Sequence, residues 1–445
     1  MLKSLIAIPA LLTLAQAAVA CPTGTTASNA RVEEKPVCIV KGSYLNTTLA
    51  LSANFSYVLE GDVRIGADNA ETSVLSIEPG TRVFGTNGSY LLIMRGSKIM
   101  ANGSKKAPVV FTSLERTNQR PGLWGGIVIN GNAPINACKP NAPVCEAVSE
   151  GIKTDPPKFG GSQPHDNSGR LSYVRVEFAG FELAKDNELN GITFNGVGDG
   201  TMVDHIQVHM NADDGIELFG GTVNLRYVLL TQNDDDGLDW DMGWTGNAQF
   251  VMIEMENGSE DMHGIEADNL KSPMDAQPRS NPTLSNVTIS AKGTNPRMFS
   301  GIMLRRGTGG AIHNSVVTGN FKVACINIDD VDTYKNGGVV NGGGVSQTGL
   351  KITHSVVHCP AGNNFDDKDT DPFLISKWFD SEGKSVNRLM DPELIDGRFP
   401  KASGQLIKGA QTPQVNGTWK FTPVKFVGAF SANTKEDWTV GWTVK

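Results

Sequence analysis

Residues 214–240 read DGIELFGGTVNLRYVLLTQNDDDGLDW, and one pattern occurs in them twice: Asp, Gly, an aliphatic residue, a carboxylate and an apolar residue, at 214–218 and again at 236–240. Between the copies, VNLRYVLLT (223–231) alternates apolar and other residues as a half-buried strand does. The pattern extends in both directions, to NGITF (190–194), HGIEA (263–267), SGIML (300–304) and ACINI (324–328). Its second position, Gly except for Cys325, falls at 191, 215, 237, 264, 301 and 325, intervals of 24, 22, 27, 37 and 24 residues. A near-constant interval with occasional longer ones describes a solenoid with loops inserted between its turns. MVDHIQVHM (202–210) and FVMIEM (250–255) repeat the second strand, and no helical period runs through the region. Helix-based repeats are thereby set aside, and the reading is all-β: a parallel β-helix of short strands joined by Gly, Asn and Asp corners.

Other stretches carry a family likeness. VLSIEPGTRVFG and LLIMRGSKIMANGSKKAPVVFTS within 74–113, GLWGGIVINGNAP (122–134) and FVGAFSANTKEDWTVGWT (426–443) resemble a group of exported bacterial right-handed parallel β-helix proteins of the pectin-lyase-like superfold. The resemblance implies the fold. That superfold hosts lyases, hydrolases, adhesins and inert stalks, so function has to be argued from a site.

The totals agree with an elongated exported protein. A chain of 445 residues with 50 Gly and 7% aromatic content outgrows one compact globule unless it extends along an axis. The net charge of -8, without a long Lys/Arg run, argues against nucleic acid as a partner. Residues 1–20, MLKSLIAIPALLTLAQAAVA, read as a signal peptide ending in a small-x-small cleavage site, and no later segment is apolar for long enough to span a bilayer. The six cysteines fall into three sequence-local pairs, Cys21 with Cys38, Cys138 with Cys145 and Cys325 with Cys359. Local closure is the simplest pairing for an even count outside the cell, whereas a lipid on Cys21 would strand Cys38. The expected organisation is an N-terminal cap at 21–59, coils over 60–372 interrupted by an insertion at about 134–166, and a covering segment at 373–445 whose four tryptophans close the last coil.

The acidic stretch gains meaning from the register. With the aliphatic residue after each key Gly pointing inward, the residues at Gly+2 and Gly+4 face out. The Gly+2 column reads Thr193, Glu217, Asp239, Glu266, Met303, Asn327; the Gly+4 column reads Asn195, Phe219, Asp241, Asp268, Arg305, Asp329. In the second column, Arg305 lies between Asp268 and Asp329 and suggests a ladder of ion pairs. In the first, Glu217, Asp239 and Glu266 are consecutive, with no basic residue in line, on coils about 4.8 Å apart, an arrangement that repels itself unless something offsets it. Calcium fits, since it takes six to eight hard oxygen ligands in flexible geometry. Asp241, Trp244 and Asp268 are then candidates for contacts with a ligand such as a polysaccharide or another cell-surface component.

Acid–base chemistry on sugars is the alternative, with Asp236, Asp235, Asp239 or Glu266 as acid and base and His263 and Arg305 assisting, as in a polysaccharide lyase or glycoside hydrolase. The order Asp213-Asp214, Asp235-Asp236, His263-Gly264, Arg305-Arg306 is similar to that of polygalacturonase-like hydrolases, but Arg-Arg-Gly stands for Arg-x-Lys and Met262 precedes the His in place of Gly. Each residue also has a plainer explanation. Asp213, Asp214 and Asp236 can be corner residues bonded to their own backbone, His263 a turn histidine, Trp244 a packed corner, and His205 and His209 solvated side chains on one outward face.

Overall fold

In the computed structural model the described residues are 20–139, 142–152, 155–181, 189–256, 258–259, 261–337, 349–360, 362–415 and 417–444. The signal segment expected at 1–20 lies outside them apart from Ala20. Twenty-seven strands wind into one continuous sheet in which nearly every pairing is parallel, which is the parallel β-helix read from the repeat. The pattern segments form one wall: Ile192–Asn195, Ile216–Phe219, Leu238–Asp241, Met262–Ala267, Met298–Leu304 and Ala324–Ile328. They stack in the expected register, Ile192 on Ile216, Leu238, Ile265, Ile302 and Ile326.

The recurring glycine is a packing requirement. A Cβ on Gly237 would lie 2.6 Å from the Gly264 carbonyl oxygen and 2.5 Å from Ile253, and one on Gly264 would lie 2.6 Å from the Gly301 carbonyl. Only glycine lets adjacent coils approach this closely. Inside, Trp240 fills the space left by Ala267 on the next coil, and its indole donates to Thr308 Oγ1 at 3.1 Å.

The longer strands, such as Met202–His209, Asn224–Thr231, Asn247–Met255 and Thr283–Ala291, each serve two walls by bending once. The bend is a left-handed residue, and these residues stack in a column: Tyr173, His205, Tyr227, Phe250, Asn286, Asn314 and His354, with φ between 49° and 60°. A side chain in that conformation costs roughly 1–2 kcal/mol. Ring stacking offsets it at four levels, with centroids 4.1 Å apart for Tyr173 and His205, 4.4 Å for His205 and Tyr227 and 5.0 Å for Tyr227 and Phe250; at Asn286 and Asn314 the residue type itself tolerates the geometry. The solvated reading of His205 and His209 is thereby corrected. His205 is sandwiched between tyrosines, and His209 is buried and bonded to Thr231 Oγ1 at 2.8 Å.

Two boundaries also shift. The strand Lys35–Tyr44 already pairs in parallel with Ser56–Ile65, so the solenoid begins inside the expected cap, whose own contribution is the antiparallel hairpin strand Thr26–Val32. Coil pairing continues to Arg388–Leu389, past the expected end at 372. The helix Ile375–Asp380 buries Ile375, Trp378 and Phe379 against the last coils, as a cover should. Beyond it the chain departs from expectation and runs along the flank of the solenoid. There it covers an outward column, Leu229, Met252, Thr288, Val316 and Val356, that is apolar at every level but Thr288 where alternation called for polar residues. The three disulfides pair as proposed, which leaves Cys21 bonded to Cys38. Among the described residues no helix is long and apolar enough to cross a membrane.

Candidate functional site

The carboxylate column forms as read: Thr193, Glu217, Asp239, Glu266, Met303 and Asn327 are direct neighbours on successive coils. The corners preceding these strands bring Asp213, Asp214, Asp235, Asp236 and His263 to the same edge, and Glu150 reaches it from the insertion. Together they line an open cleft of about 580 Å³ with nine carboxylates against the guanidinium groups of Arg297 and Arg305. Three overlapping sets have ligand oxygens within 4.8 Å of one another: Asp213, Asp214 and Asp235; Asp214, Glu217 and Asp239; Asp236, Asp239 and Glu266.

The corner aspartates have a structural task that differs from the expected one. Asp214 Oδ1 accepts from the amide of Asp236 at 3.0 Å, and Asp236 Oδ1 accepts from the amide of His263. Each therefore ties its coil to the next rather than closing its own turn, and its second oxygen remains for the cleft. Asn190, at the same corner one coil earlier, donates to Glu217 Oε2 at 2.6 Å. Asp239 Oδ1 is buried without a protein partner, a costly state for a carboxylate oxygen.

The first column is not without a basic partner, contrary to expectation. Arg305 pairs with Glu266 and also donates from Nε to Asp268 at 2.9 Å, while Arg306 holds the other oxygen of Asp268 at 2.7 Å. Asp329 stands outside this ladder and accepts from the amide of Asp330. Asp268, almost fully buried in its double ion pair, and Asp241, bonded to the Met242 amide, do not line the cleft. Trp244 is enclosed and donates to the Val223 carbonyl at 3.0 Å, so it presents no face to a ligand and the packing reading holds for it.

Burial and mutual repulsion govern the charge state. Burial first, then neighbouring carboxylates, pushes Asp214, Glu217, Asp236 and Asp239 well above the usual carboxylate range. Burial lifts Glu266 to about 7 against the pull of Arg305, and Asp241 to about 7 with Asp268 adding to the rise. Burial and then Arg305 lower His263 to about 4, leaving it neutral at pH 7, with Nε2 3.6 Å from Glu266 Oε2 and a buried Nδ1 lacking a partner.

The stacked walls that carry this cleft have a counterpart among known families. The family model for a pectate-lyase-like beta helix domain matches residues 42–387. The chain belongs to that family. Membership accounts for the right-handed parallel β-helix and leaves its chemistry open. Among curated proteins no significant match was found. A similar solved structure is the Dettilon tailspike protein (gp208), 13% identical, with 63% of this chain and 60% of that chain covered and a TM-score of 0.19, values too low to carry an argument.

Sequence reasoning missed Glu150, Asp261 and Arg297 in this beta-helix cleft, and Asn190 behind Glu217. Asn190 was legible, because it holds the corner position that Asp214, Asp236 and His263 occupy on later coils. Glu150 was not, since only the folded path of the insertion brings it to the cleft.

Proposed function

We propose that this exported β-helix binds divalent cations, calcium by ligand chemistry, in the acidic cleft, and through them a ligand such as a polysaccharide at the cell envelope or outside the cell. The observation that carries the reading is the run of three overlapping carboxylate sets joined through Asp214 and Asp239. Their donors are hard oxygens at a spacing a flexible six-to-eight-coordinate ion can gather, and the unpartnered Asp239 Oδ1 suits a ligand atom awaiting its ion. Asp239 would be shared, with Glu217 and Asp214 holding an ion on one side of it and Glu266 and Asp236 on the other. Polymer sugars offer hydroxyl and carboxylate oxygens to the open coordination positions.

A second reading, acid–base cleavage of a glycan, draws support from Glu266, which burial places near pH 7 beside Arg305, and from the closeness of Asp236 to Asp239 and Glu266. One set of measurements separates them. At low ionic strength calcium should raise the melting temperature of the parent protein and chelator should lower it, and Asp239→Asn should abolish the difference. A glycan array probed with and without calcium should show binding that chelator reverses, and intact chains on recovery. No calcium effect in the parent protein would remove the first reading. Chain shortening that disappears in Asp236→Asn, where loss of a general acid or base costs about 10² to 10⁴ in rate, would establish the second.

A further inference from the structure

The flank covered by the C-terminal segment, on different walls from the cleft, holds that segment by its backbone as well as by packing of Val427, Phe430, Trp438 and Trp442. Three carboxamides on the solenoid each make a two-point bridge to one strap residue. Asn314 donates to the Gln411 carbonyl and accepts from its amide, both at 2.8 Å. Gln249 does the same with Thr422 at 2.9 and 2.8 Å, and Gln207 with Val444 at 2.9 and 2.9 Å. Asn286 adds donations to the carbonyls of Phe426 and Gly428 at 3.0 and 3.2 Å. A carboxamide offering donor and acceptor side by side reproduces the edge of a strand, so it reads an extended backbone with little regard for sequence. Between these bridges lie two apolar patches, Leu229 with Met252 and Val316 with Val356, separated by Thr288, which a vacated flank would present to water.

The strap enters through a short, exposed joint. Leu406 is anchored against Val316 and Val356, and the first bridge is at Gln411. Lys408 and Gly409 between them are exposed, and Gly409 has φ +100°, a conformation open to glycine.

We propose that this flank is a binding site that the chain fills with its own C-terminal strap, and that the strap of a second copy of the chain can fill it instead, joining two copies by exchange. The second copy is the occupant favoured by complementarity, because every copy carries one flank and one segment already matched to it through the same bridges. Exchange creates no new contact except at the joint around Gly409, which is why it is a low-cost route to a dimer.

The test uses the full-length protein, concentrated, held a few degrees below its melting temperature, cooled, diluted and sized by light scattering. A dimer fraction should rise with the holding concentration and persist on dilution. In that dimer the amides of Gln411, Thr422 and Val444 should be as protected from hydrogen exchange as in the monomer. A synthetic peptide of residues 411–445, added in excess during holding, should bind the protein and suppress the dimer. Gln207→Leu and Gln249→Leu, each checked for native circular dichroism, should speed exchange by about tenfold, since each loses two hydrogen bonds to the strap. Monomer alone at every concentration with no peptide uptake would overturn the proposal, and so would a dimer whose strap amides exchange freely.

Discussion

At the scale of single residues, the cleft depends on oxygens that prefer protons or cations to water. Asp214, Glu217, Asp236, Asp239 and Glu266 all have folded-state values raised above the ordinary range, so the stability they contribute is present at acidic pH and lost as pH rises through those values. His263 and His313 act in the opposite direction: burial depresses both to about 4, and their contribution is lost as pH falls towards that value. Asp241 and Asp268 are raised as well, and burial also lowers His209 and His354, so seven raised carboxylates stand against four depressed histidines and outweigh them. In chelator, the melting temperature should therefore be higher near pH 5 than near pH 8, and calcium should restore more of it at pH 8, where protons no longer compete. A chelator profile that rises steadily from pH 5 to 8 would mean the carboxylates are ionised and neutralised by other groups. The sequence exposed Glu217, Asp239 and Glu266 because strand alternation is a local rule. It hid the reach of Arg305 to Glu266, because a long side chain crosses from one column to the next and no periodicity records that.

At the scale of elements, each wall follows from a different kind of signal. The pattern strands were readable from glycine spacing, and the close coil approach at Gly237 shows why the spacing is strict. Gly237→Ala should accordingly lower the denaturant midpoint of unfolding, since the added Cβ meets the Gly264 carbonyl and Ile253. Nothing in HIQVH announces that His205 is left-handed at the corner where the strand bends; its stacking between Tyr173 and Tyr227 is a contact that only the fold supplies. The apolar flank was likewise misassigned, because Leu229 and Met252 lie on an outward face that distant chain covers. Leu229→Ala should cost about 2–5 kcal/mol in denaturant unfolding, as an interior position would, although it points away from the solenoid core. A loss below about 1 kcal/mol would mean that the strap closes over the gap.

At the scale of the whole molecule, the solenoid extends a single neighbour-to-neighbour rule, and the disulfides fasten it near the beginning, at the insertion and near the last coils. The strap is the exception to that rule, because it links coils that are not adjacent, and this decides how the protein answers tension. Hydrogen bonds between coils run along the solenoid axis, so a stack pulled lengthwise would unzip turn by turn. The strap, however, runs back along the stack, and Val444 is fastened to Gln207, mid-way along the coils. A load applied between the termini therefore enters at the flank and must first strip residues 411–444 from their bridges. A single-molecule trace should open with that release, roughly 110 Å of slack at about 3.3 Å per residue, before any coil yields. Until then the coils beyond Gln207 stay out of the load path, while those before it carry the tension in series with the strap.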